Sequence, residues 1–305
     1  MEIAADELRA LVDEAIENDP TGPTEVAQVR PDLVAPFHLE LVDGEVWWVA
    51  DLYRAMTEET ATALVRRVDD GDEQAAALAH VLASGRTETA VAAVRRWAAA
   101  PPAWATGLAR PIEHLGHVGG WELTTTGDLR LLTSDGTRAL VPAPAAERRS
   151  SVSGGALPGV CGWCGMALWR LLDVDRILVA TCVRCGSYAT YFTEAGEFAP
   201  VNERPGFLGR DDDGWDLPDG APLIVGENRP TPWAGTAWHA GGSTLGGSPD
   251  WIQDAEFPAC PRCSRTMPYV GMVNGGDLWT DFGEGCFYLF HDPACGLSAA
   301  VYQQS

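Results

Sequence analysis

Apolar residues recur every three to four positions through most of residues 5–100, then every second position through much of the chain beyond. Leu8, Leu11, Val12, Ala15 and Ile16 fall on one helical face. Ala61, Leu64, Val65 and Val68 repeat that spacing, as do Ala75, Leu78, Ala79 and Leu82, and then Val91, Val94 and Ala98. The turns DDGD and SGRT separate the last three patterns, which predicts antiparallel helices with short connections. One stretch interrupts the series: FHLELVDGEVWWVA alternates about Asp43-Gly44, a two-residue turn signal, and predicts a β-hairpin. From Gly119, WELTTTGDLRLLTSDGTRALV consists of short β-prone runs broken by turns and predicts a small meander. The Pro-, Ala-, Ser- and Gly-rich PAPAAERRSSVSGGALPG carries no period, so a domain boundary is expected there.

These patterns predict an α+β chain, with a helical N-terminal region followed by a β-rich C-terminal region containing two zinc-ribbon-like units. The expected organisation is a mainly helical domain over 1–141 with the hairpin and meander, a linker over 142–158, and a β-rich domain over 159–305.

Hydrophobic residues make up 46% of the 305 positions, but no apolar run approaches the length of a membrane span. The opening MEIAADELRALVDEAIE is acidic and amphipathic, unlike a signal peptide, so a cytoplasmic protein is expected. Charge narrows the function classes further. There are 43 acids against 21 bases, none of the bases is lysine, and the formal net charge is −22. A phosphate-loop or Schiff-base lysine is therefore excluded. Binding to a polyanion rests on cations displacing its counterions, so nucleic acid is not an expected partner; nor is a membrane. A basic protein partner would be attracted instead.

All eight cysteines follow the expected linker, and six form C-x2-C pairs, which favours reduced thiolates on metal over disulfides. In CGWCGMALWRLLDVDRILVATCVRCG, the pairs Cys161/Cys164 and Cys182/Cys185 flank strand-prone sequence. Each pair should fold as a knuckle, with Gly165 and Gly186 relieving the turns, to give a tetrahedral four-sulfur site for Zn2+, with iron the main rival. Such a closed site leaves no position for water and is expected to be structural.

The second set is decoded by an internal repeat. Placing Cys185 on Cys295 aligns Gly186 with Gly296, Ala189 with Ala299 and Phe192 with Tyr302, and puts Cys182 on Asp292. Cys161 and Cys164 match Cys260 and Cys263, and a methionine follows each pair. A second Zn2+ is expected on Cys260, Cys263 and Cys295, with Asp292 or the adjacent His291 as fourth ligand. Cys286 is expected to be a buried small hydrophobe. As a strand, 286–291 would place Cys286, Tyr288 and Phe290 on one face and Phe287, Leu289 and His291 on the other.

Other candidate chemistry is sparse. His114 and His117 in RPIEHLGHVGG have a spacing found in some metal sites, but no nearby carboxylate or cysteine partner stands out, so a loop or structural role is expected. His239, Trp233, Trp238 and Trp251 would line an aromatic cleft or belong to a core. Asp211, Asp212, Asp213, Asp216 and Asp219 lack a calcium-loop pattern and read as an exposed acidic loop.

Over about residues 158–305 the chain resembles the YwqG-like family, a bacterial domain of unknown function. LGGSPDWIQ (245–253), CPRCSRTMPYV and CFYLFHDPAC match its motifs in order, although Asp292 stands where the family's final cysteine pair has its first member. The resemblance implies a cytosolic, metal-stabilised protein without an established reaction. Two functions compete. One is a non-catalytic interaction module, in its sharpest form an immunity or antitoxin-like protein covering a basic toxin. The other is a metal-dependent hydrolase using the irregular second site, with Asp281 or Glu284 as base.

Overall fold

The computed structural model describes residues 3–18, 20–108, 110–186, 189–204, 222–279 and 285–305. It divides into two compact units, Met1–Leu132 and Thr133–Ser305.

The N-terminal unit contains the helices α1 (Ala5–Glu17), α2 (Thr21–Val29), α3 (Pro31–Val34), α4 (His38–Asp43), α5 (Glu58–Asp69), α6 (Ala75–Ser84) and α7 (Glu88–Ala99), with short 3₁₀ segments between them. Their apolar stripes form the core: Leu8, Val12, Leu64, Val68, Leu78, Leu82 and Val94 are all buried. Thr57 and Thr87 cap α5 and α7, accepting from the Thr60 N–H at 3.1 Å and the Ala90 N–H at 3.0 Å. After a 3₁₀ helix over Ile112–Gly119, strands β1 (Trp121–Leu123) and β2 (Leu129–Leu131) pair antiparallel. Trp121 fastens them to the end of α6, because its indole N–H donates to the carbonyls of Ala83 and Gly85 at 3.0 and 3.1 Å.

The expected hairpin at 37–50 is not formed. His38, Leu41 and Val42 are all buried at i, i+3 and i+4, so burial follows the helical period and α4 results. Asp43-Gly44 does not make a hairpin turn: Gly44 has φ −81° at the helix end, and Glu45 takes the left-handed position at φ 63°. Val46 then turns back into the core, where its carbonyl accepts from the Tyr53 hydroxyl at 2.6 Å.

The C-terminal unit carries the remaining strands: β3 (Thr137–Pro142), β4 (Ala156–Val160), β5 (Ala167–Val174), β6 (Ile177–Thr181), β7 (Thr190–Thr193), β8 (Leu223–Asn228), β9 (Thr244–Gly246), β10 (Tyr269–Asn274), β11 (Cys286–Asp292) and β12 (Leu297–Gln303), with the short helix α8 (Gly275–Leu278). A seven-stranded sheet has the order β7-β12-β11-β10-β9-β3-β8, and a three-stranded sheet the order β4-β5-β6. The division between units falls before β3, earlier than the expected linker, because β3 pairs with β8 and β9 of the large sheet. The Pro- and Ser-rich stretch also holds to the sheets rather than hanging free: the Val152 N–H donates to Leu223 O at 2.8 Å, and the Asp173 N–H to Val152 O at 2.6 Å.

Strand β11 alternates as the sequence predicts, yet every residue in it is buried because both faces are covered. Phe287 and Leu289 join Val273, Ala300 and Leu171, Leu172 and Val179 of the small sheet in one core. On the other face Trp251 stacks near Tyr288 at 4.4 Å between centroids, and Phe257 and Tyr269 meet Phe290 at 5.7 and 6.1 Å. The sequence repeat is visible in the register: the alignment that places Cys185 on Cys295 also places Thr190 on Ala300, and these two are direct partners across β7 and β12. The two ribbons therefore meet through equivalent strands running antiparallel.

Candidate metal centres

The first centre is made by two knuckles, one leading into β4-β5 pairing and one following β6. The Cys161 N–H donates to Met166 O, and the Gly165 N–H back to Cys161 O, both at 2.8 Å. Gly165 closes this turn at φ 78°, a conformation that a side chain would strain. Gly186 has a different role from the one expected. It is absent from the left-handed residues, but a Cβ there would stand 2.9 Å from Thr181 Oγ1 and 3.0 Å from Cys182 O, so the second knuckle needs its small size.

Cys161, Cys164, Cys182 and Cys185 converge with their sulfurs all within 4.8 Å of one another. Cys164 Sγ and Cys182 Sγ are 3.4 Å apart, far beyond a disulfide bond and near the edge of about 3.8 Å that Zn–S bonds of about 2.3 Å make in a tetrahedron. Leu168, Ala180 and Phe192 pack around the sulfurs, with Trp163 and Phe198 outside them. Within this apolar shell the thiols compete for charge. The Cys161 thiol is pulled down, first by hydrogen bonding from Cys182 and then from Cys185, while Cys182 and Cys185 are pushed up, first through their hydrogen bonds to Cys161. Four thiolates cannot coexist there without a cation, and a divalent soft metal fits both the charge and the donor set.

The second centre repeats the first knuckle. The Cys260 N–H donates to Arg265 O and the Ser264 N–H to Cys260 O, both at 2.8 Å, and Ser264 takes the left-handed position at φ 59° where the first knuckle has glycine. Cys260, Cys263, Asp292 and Cys295 offer ligand atoms all within 4.8 Å of one another. Asp292 ends β11 and starts the turn to β12; its Oδ1 accepts from the N–H of Ala294 at 3.0 Å and of Cys295 at 3.3 Å, and its Oδ2 accepts from Cys263 Sγ at 3.1 Å. Burial works against its charge, but hydrogen bonds from Cys260, Cys263, Cys295 and Ala294 outweigh this and hold the carboxyl at about 2. It is thus ionised and aimed at the three sulfurs, with Arg265 at 3.9 Å on the rim.

The other candidates for this centre lie elsewhere. His291 points to the opposite face of β11 and sits 3.2 Å from Ser298 Oγ through Nδ1. Cys286 is fully buried at the far end of the same strand, six residues and so about 20 Å from Asp292 at about 3.3 Å per residue, and burial pushes its thiol well up. Asp281 and Glu284, the bases of the hydrolase reading, lie outside the described residues, as do Asp211, Asp212, Asp213, Asp216 and Asp219. Of the aromatic group, Trp251 is packed on β11, whereas Trp238 is 52% exposed and His239 is also exposed.

The GGSPDWIQ segment holds itself to the large sheet by its backbone. The Tyr288 hydroxyl donates to Asp250 O at 2.6 Å and accepts from the Ile252 N–H at 3.0 Å; the Gln253 N–H donates to Gln303 Oε1 at 3.0 Å. In the N-terminal unit, His117 has a carboxylate neighbour that the sequence reading overlooked: Glu122, whose Oε2 is 3.1 Å from His117 Nε2.

Among curated proteins the chain is similar to the uncharacterized protein YpfL of Salmonella typhimurium, 27% identical over 336 aligned positions that cover 99% of this chain and 78% of the relative. No family model matches the chain. No solved structure matches it either.

Proposed function

We propose that this chain is a zinc-binding, non-catalytic protein-interaction module of the cytoplasm, in which two ribbons of YwqG-like type are held by structural Zn2+ and the acidic surface receives a basic protein. The observation that carries the reading is closure: each centre brings four donors, four sulfurs in one and three sulfurs with a carboxylate in the other, within 4.8 Å of one another, so a bound Zn2+ would have no position left for substrate or water. Asp292 supplies the fourth donor of the second centre, which removes the open site that a hydrolase would need. The charge of −22 favours a basic partner, and an immunity or antitoxin-like role is its most specific form.

The test joins metal exchange with partner chemistry. Zinc in the first centre should resist exchange, zinc in both should be indifferent to small ligands, and crosslinking in the native host followed by reconstitution should yield a basic protein whose binding weakens with salt. A hydrolytic activity abolished by Asp292→Ala, or a reconstituted partner that binds without salt dependence, would overturn the reading.

A further inference from the structure

We propose that His114, His117 and Glu122 form a third metal centre, a divalent transition-metal site of two imidazoles and one carboxylate within the N-terminal unit. It contains no cysteine and shares no residue with the ribbon centres.

The backbone creates the pairing. Residues three apart eclipse in a 3₁₀ helix, and Ile112–Gly119 is one, so His114 and His117 project in the same direction. Their rings lie 4.6 Å apart at 16°. The chain then passes Gly120 at φ 75° and enters β1, which brings Glu122 back against His117. Arg130, the register partner of Glu122 across β1 and β2, engages one carboxylate oxygen, with Nε at 2.8 Å and Nη2 at 2.6 Å from Oε1. The other oxygen, Oε2, is the one 3.1 Å from His117 Nε2. A ligating carboxylate is commonly held in this way, one oxygen fixed by an outer partner and the other turned to the metal.

The dimensions suit a cation. Bonds of about 2.0–2.1 Å in a tetrahedron set donor atoms about 3.3 Å apart, close to the His117–Glu122 separation. Ligand atoms of all three residues lie within 4.8 Å of one another, and His114 turning out of its stack on His117 would complete the set. His117 and Glu122 are buried while His114 is partly exposed, which leaves a side for the ion to enter.

Two imidazoles with one carboxylate select Zn2+, Co2+, Ni2+ or Fe2+ over Mg2+ or Ca2+. Three protein ligands leave a fourth position open, in contrast to the ribbons. Because Arg130 shares the carboxylate, this centre should bind more weakly than the thiolate ones.

The test uses the full chain with its thiolate centres loaded with zinc, titrated with Co2+ near pH 7.5. One further equivalent is expected, with weak visible absorption and no thiolate charge-transfer band. His114→Ala, a partly exposed position, should lose that equivalent and keep the wild-type circular dichroism. The imidazole proton resonances of His114 and His117 in the wild-type protein supply a readout that needs no variant, since bound Co2+ should shift both. Absence of the extra equivalent, its retention in a folded His114→Ala protein, a thiolate band on the added cobalt, or unshifted His114 and His117 resonances would each overturn the proposal.

Discussion

The two cysteine ribbons make the same pair of backbone hydrogen bonds at their leading knuckles, at the same 2.8 Å, and still differ in what they offer a metal. The first presents four sulfurs, three of them on the buried Cys161, Cys182 and Cys185 beside Leu168, Ala180 and Phe192, with Cys164 partly exposed; the second presents three sulfurs and the Asp292 carboxylate, with Cys263 and Cys295 partly exposed and Arg265 on the rim. A thiolate and a carboxylate carry the same charge, so the exchange of Cys for Asp keeps the electrostatic sum and changes softness and cover. Backbone geometry is thus the common inheritance of the two centres, and affinity is where they part: the harder oxygen donor and the wetter rim should make the second metal the more labile.

The largest effect that would sharpen this contrast is expected at the buried centre. Cys182→Ser should remove one zinc and with it the cooperative unfolding of the C-terminal unit, because structural zinc contributes on the order of 10 kcal/mol to folding of such sites. Calorimetry of the variant beside the wild type reads this directly, and a preserved transition would show that the first centre is not needed for the fold. Next in size, Asp292→Ala should weaken only the second metal, by more than the roughly 10–100-fold that loss of an outer partner costs. Asp292→Cys should tighten it, and in the wild type a chelator should strip this metal first. Equal release rates for the two metals would erase the distinction.

Acid provides a third comparison, because proton competition at the thiolates must be separated from a metal-independent effect at His38. Burial, against a backbone hydrogen bond with Leu52, lowers His38 from 6.5 to about 4, so the unfolded chain binds the proton more readily. Stability is then fully present above pH 6.5 and falls as pH drops toward 4, by on the order of 3 kcal/mol. Urea midpoints of the N-terminal unit measured across this window, with and without His38→Gln, check the sign; the comparison of metal release belongs above pH 6.5. The smallest effect concerns the knuckle turns. Ser264 occupies at φ 59° what Gly165 occupies at φ 78°, so Ser264→Gly should stabilise by up to about 1 kcal/mol while Gly165→Ser should destabilise. A destabilising Ser264→Gly would mean that its side chain earns its place by contacts.

The helices were legible wherever a three-to-four-residue period ran past two turns, as in α1, α5, α6 and α7. The period failed at 37–50 because α4 is only six residues long, too short to separate an apolar stripe from a strand's alternation, and the tertiary burial of His38 decided the matter. The cysteine sets could be read because ligand spacing is a local property. Asp292 could be read only as one of two choices, since neighbouring residues on a strand face opposite ways and sequence does not state which way the metal lies. Glu122 was missed for the same reason in reverse: between Trp121 and Leu123 it should face water, but all three residues of β1 are buried, and the cross-strand Arg130 that makes this tolerable is a pairing that only the fold reveals.

The central claim, one knuckle geometry used twice with four donors closed about each point, is tested most directly by counting zinc released as thiols are modified. Protein loaded with zinc under reducing conditions and titrated with a mercurial thiol reagent should release two zinc ions per chain, the first on modification of Cys263 and Cys295 and the second only once the buried Cys161, Cys182 and Cys185 react. Release of a single ion, or of two ions in the Asp292→Ala protein with wild-type resistance to chelator, would contradict it.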